Sequence, residues 1–115
     1  MRCRLSPVQA ALLRAVRALL EDLCGDAGEV PSIIVDRVES RPWASLTYVG
    51  ERHELVLRLL RPLPANTDLE LLLCELGERR SPRLPGSFVA DVAIARIVEG
   101  AGEIVIILEV LTIGE

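Results

Sequence analysis

Residues 88–113, FVADVAIARIVEGAGEIVIILEVLTI, constrain the fold of this chain more than any other stretch. Two runs rich in Val and Ile flank a Glu-Gly-Ala-Gly-Glu break, the pattern of a β-hairpin with a glycine-containing loop. In the second run Ile104 to Leu108 are all apolar, and only Glu109 and Thr112 interrupt the remainder up to Ile113. A strand with one wet face alternates; one that does not is covered on both faces. A small domain has few helices with which to cover a second face, so the hairpin points to a partner subunit.

The N-terminal part reads as an amphipathic helix. Ser6 caps, Pro7 takes the first helical position and Gln9 completes a capping box. Val8, Leu12, Ala15, Val16, Leu19, Leu20 and Leu23 recur at helical spacing, with Gln9, Arg14, Arg17, Glu21 and Asp22 opposite, and Gly25 is the stop. Such a helix can lie on a membrane surface. Here Glu21 and Asp22 dilute its positive face and no Trp or Phe anchors it, so core packing is the expectation and membrane binding is not.

Strands follow at about Ser32–Ser40, Ala44–Gly50 and Glu54–Arg61, broken by Arg41-Pro42 and by Gly50-Glu51-Arg52, as in a three-stranded meander. Leu55, Leu57 and Leu59 share one face of the third. Thr67-Asp68-Leu69-Glu70 offers a second capping box, with Leu69, Leu72, Leu73 and Leu76 on one face and Gly77 as the stop, a second helix. Residues 77–86 form the longest irregular stretch before the terminal hairpin. The order α-β-β-β-α-β-β over residues 1–115 predicts a single α+β domain: a mostly antiparallel sheet of about five strands with two helices on one face.

Composition narrows the function classes. The chain of 115 residues is 50% apolar and only 3% aromatic, so the core rests on Leu, Val, Ile and Ala. All 13 basic residues are Arg, the usage of a bacterial genome of high GC content, which discounts any single Arg as a signal. The net charge of −4 argues against nucleic acid, whose binding depends on neutralising phosphates. Trp43 and Tyr48 are too few for a base-stacking platform. Cys3, Cys24 and Cys74 are odd in number and follow no pairing pattern. Arg14 and Arg17 interrupt the first apolar run, and no small-residue cleavage site follows it. Free thiols in a reducing cytoplasm are the expectation.

No catalytic motif stands out. His53 falls beside a turn, where a solvated position is ordinary, and no nucleophile is marked for it. Cys3 and Cys24 bracket the first helix and cannot share an ion, and no C-x-x-C pair exists, so neither metal nor cofactor is expected. Asp91 and Glu109 are charges inside apolar strands. With a three-residue hairpin loop they sit diagonally on one face, close enough to couple. With a loop one residue shorter, Glu109 lies diagonal to Arg96 and Asp91 opposes Thr112, an ion-pair arrangement. Arg79, Arg80 and Arg83 cluster before the hairpin. Together with Asp91 and Glu109 they are the candidate ligand-binding residues, suited to an anionic small molecule. The leading expectation is a non-enzymatic protein acting through a homodimer or other protein contact on its apolar sheet face. The competing one is an anionic-ligand binder or minor enzyme with its pocket near Arg79–Arg83.

Overall fold

The structure, a computed structural model, describes residues 5–24, 33–60, 83–100 and 102–115. Helix α1 spans Pro7–Cys24. It starts at the predicted cap: the Ser6 N–H donates to Gln9 Oε1 at 2.9 Å, and the Gln9 N–H donates to Ser6 Oγ at 3.1 Å. Two N–H groups that the first turn leaves over are thereby satisfied reciprocally. The strands are β1 (Ile33–Ala44), β2 (Val49–Leu59), β3 (Ser87–Gly100) and β4 (Glu103–Gly114). They form one antiparallel sheet in the order β1-β2-β4-β3, so two hairpins lie side by side and join along β2 and β4.

The α+β class agrees with the sequence; the element count does not. Among the described residues there are four strands and one helix. The second predicted helix, at residues 67–77, lies outside the described residues. The three-stranded meander is two longer strands. Arg41-Pro42, expected as a break, continues β1, with Pro42 opposite Glu51. β1 is an edge strand, where a missing N–H need not interrupt a ladder. The expected strand at residues 44–50 is mostly the connection between β1 and β2. Ser45 builds that turn with its side chain: Oγ accepts the N–H of Thr47 at 3.3 Å and of Tyr48 at 3.0 Å. Gly50, expected to start a turn, lies in β2, because a Cβ there would overlap the Thr112 carbonyl oxygen of β4.

Alternation divides the sheet into two faces. On the inner face stand His53, Leu55, Leu57 and Leu59 of β2 and Ile106, Leu108, Val110 and Thr112 of β4, all buried. Leu12, Val16, Leu19 and Leu20 of α1 pack in the same core. Seven of its Leu and Ile side chains are under 2% exposed: Leu12, Leu20, Leu55, Leu57, Leu59, Ile106 and Leu108. Each contributes roughly 1.5–3 kcal/mol through burial, an upper estimate.

The terminal hairpin contains both anticipated registers. At its tip Gly100 pairs with Glu103, so the connection is two residues, and Gly102 adopts φ 77° there. Between Ile94 and Arg96 a bulge shifts the pairing by one, which places Ala93 opposite Glu109 and Asp91 opposite Leu111. A second bulge lies between Val89 and Asp91. Each extra residue exchanges the faces that a regular strand would keep.

Candidate functional site

Of the predicted ligand-binding residues, Arg79 and Arg80 lie outside the described residues. Arg83 and Asp91 are exposed, and Glu109 is half-buried. Asp91 and Glu109 do share the outer face, on diagonal positions of β3 and β4. Arg96, opposite Ile107, stands diagonal to Glu109 on the other side, so the glutamate lies between a like charge and an opposite one. The shallow concavity that takes in Glu109 is formed with Glu39, Arg41, Arg52, His53 and Glu54, and neither Arg83 nor Asp91 lines it. Its volume of about 100 Å³ is well below the range of small-molecule pockets.

Register sorts the outer-face charges into rows across the strands. Glu39 faces Glu54, and Glu54 faces Glu109, a row of three carboxylates on β1, β2 and β4. In the neighbouring row Arg41 faces Arg52. Like charges directly opposite on paired strands are destabilising, so such rows are unusual in a sheet face left to water. Arg37, one row further, bridges Glu54 and approaches Glu39 at 3.7 Å. Arg58 binds Asp36 at 2.8 Å and approaches Glu103 at 3.6 Å. Both guanidiniums are held above their ordinary pKa, Arg37 chiefly by its hydrogen bond to Glu54 and Arg58 by its bond to Asp36. Among the described residues, Arg41, Arg52 and Glu109 enter no ion pair, and no three His, Cys, Asp or Glu converge to hold a metal ion. Beside the charges lies an aliphatic strip of Val56, Val105, Ile107 and Leu111, with Val98 and Phe88 at its β3 margin. No helix of the described residues packs on it.

On the inner face His53 overturns the expectation of a solvated turn. It belongs to β2 and is 0% exposed. Gln9 Nε2 donates to Ser40 Oγ at 2.7 Å, Ser40 Oγ lies 2.6 Å from His53 Nδ1, and His53 Nε2 lies 2.9 Å from Thr112 Oγ1. Thr112 Oγ1 in turn donates to the Glu51 carbonyl at 3.4 Å. With Nε2 protonated the ring donates to Thr112 and accepts from Ser40 at Nδ1, so both nitrogens are satisfied in the neutral form. Burial pushes the imidazole pKa below its ordinary value, with the charge of Glu51 partly opposing. Ser40 and His53 resemble a nucleophile and its base, but no carboxylate orients the ring, and Thr112 ties the second nitrogen. The arrangement joins α1, β1, β2 and β4 as structure. Its signal was in the spacing: His53 shares the parity of Leu55, Leu57 and Leu59.

The larger cavity is an apolar groove of about 350 Å³ between α1 and the β1 edge. Val16, Leu57, Ile33 and Val35 line it, and Arg14 and Arg17 stand on its rim. Among the described residues no helix is long and apolar enough to cross a membrane. No protein-family model matches the chain, and neither a curated protein nor a solved structure matches it at a significant level.

Proposed function

We propose that this is a non-enzymatic bacterial protein of the cytoplasm that works by self-association through the outer face of its sheet. The observation that carries this reading is the aliphatic strip over β2 and β4, where Val56, Val105, Ile107 and Leu111 stand half-buried beside the exposed Phe88 and Val98, with no helix of the described residues packed on them. Monomers seldom leave a contiguous apolar patch of more than a few hundred Å² to water. The sheet edges support the face as the contact. β1 carries Pro42 and a bulge between Val35 and Arg37, and β3 carries two bulges. Such features obstruct strand addition, which leaves face-to-face packing. The assembly is a two-fold dimer burying at least ~1,000 Å² in total. Light scattering at low micromolar concentration tests it. A dimer is expected, and Ile107→Glu should yield a folded monomer; a wild-type chain that runs as a 12.6 kDa monomer would sink the reading.

A second reading, a small-molecule binder, is favoured by the groove beside α1 rather than by the Arg79–Arg83 loop. Apolar walls beneath Arg14 and Arg17 suit an aliphatic acid. Calorimetric titration with decanoate should show saturable binding that Arg14→Glu abolishes; heats that never saturate would dismiss it.

A further inference from the structure

Building on self-association through the outer face, we infer that the occupant of that face is a second copy of this chain. It is seated about a two-fold axis that runs across the strands, between the Arg41/Arg52 row and the Glu39/Glu54/Glu109 row. Packed sheets lie about 10 Å apart, and rows on one face are spaced by two residues, about 7 Å. A two-fold axis midway between two rows lays each row of one copy over the other row of its partner. Arg52 then meets Glu54, and Arg41 meets Glu39, with every contact made twice. Glu109, one strand beyond Glu54, is within reach of the same Arg52 guanidinium.

The like-charged rows, unfavourable in an isolated sheet, become complementary in this arrangement. The next rows agree. Trp43 lies over Arg37, an aromatic face against a cation. Gly50, which has no side chain, leaves room for Val56. A two-fold axis along the strands, between β2 and β4, instead lays Glu54 over Glu109 and Arg37 over Arg96, four repulsive contacts against two favourable ones of Arg41 with Asp91. The charge pattern therefore selects one orientation of the dimer.

The test exchanges charges. Arg52→Glu alone and Glu54→Arg alone each place like charges together twice in a homodimer, and each should weaken association at least ten-fold by analytical ultracentrifugation. Mixed in equal amounts, the two variants form a heterodimer in which both oppositions of positions 52 and 54 are again favourable, and association should recover most of the way to the wild-type constant. Circular dichroism of each variant checks that the fold is retained; should Glu54→Arg unfold through its loss of Arg37, Glu39→Arg paired with Arg41→Glu makes the same test. Variants that associate like the wild type, or a mixture that stays monomeric, would overturn this axis while leaving self-association intact. A monomeric wild type would remove both.

Discussion

Replacing His53 with Leu probes the buried network directly, because the two side chains are close in volume and the ring is the chain's sole histidine. The substitution removes the bonds to Ser40 and Thr112, each worth about 1 kcal/mol net. It also leaves the Ser40 hydroxyl proton without its acceptor, at about 1–3 kcal/mol, reduced because Ser40 is only half-buried. Added apolar burial offsets part of this, so the net loss should be about 2–4 kcal/mol, a large share of a small domain's stability. The effect depends on pH with a definite sign. In the unfolded chain the imidazole titrates near 6.5; in the folded chain its pKa is lower. Below about 6.5 the unfolded state therefore binds a proton that the folded state refuses. Stability due to His53 is complete above that pH and declines as pH falls, by up to about 1.4 kcal/mol per unit, until the folded pKa is reached. Urea unfolding of wild type and His53→Leu at a fixed chain concentration, from pH 8 to pH 5, gives the difference curve. Carboxylate effects common to both chains cancel in it. A difference that stays level across this range, or one below about half a kcal/mol at pH 7.5, would show that the ring is not held neutral by the network.

Two further substitutions read other parts of the fold. Gly50→Ala should destabilise by about 2 kcal/mol or more, since the new methyl meets backbone of β4 that cannot yield as a side chain would; a thermal midpoint within a degree of wild type would contradict the close approach. Gln9→Ala should cost more than the ~1 kcal/mol typical of a lost cap, because the same amide completes the capping box and anchors α1 to Ser40. Chemical denaturation of Gln9→Ala beside Ser6→Ala separates the two roles, and equal losses would mean the Ser40 bond adds nothing.

Local chemistry encodes the parts of the fold that could be read from the chain. The capping box at Ser6 and Gln9, the apolar stripe of α1 and the terminal hairpin all come from residue type and spacing. The punctuation of the first hairpin misleads. Pro42 and Gly50 resemble turn residues, yet one occupies an edge strand and the other a site of close strand approach. The real turn at residues 45–48 has no Gly, Pro, Asn or Asp and is built by a serine hydroxyl, a weaker signal. The outer-face rows were harder still. They depend on the pairing of β2 with β4 and on the bulges of β3, which long-range packing sets. His53 needed only its strand parity to be extended two residues further.

The strand order also governs how the chain folds in time. Each hairpin is local: β1 returns to β2 through a four-residue turn, and β3 returns to β4 through two residues. The seam between β2 and β4 is different in kind. His53 and Thr112, which bond across it, are 59 residues apart in sequence, and closing a loop of that length costs chain entropy before any contact repays it. The two hairpins can therefore form independently within microseconds, whereas their docking is the slow step. The docking along β2 and β4 then limits folding speed, and the turns enter it through the population of each marginally stable hairpin that is ready to dock.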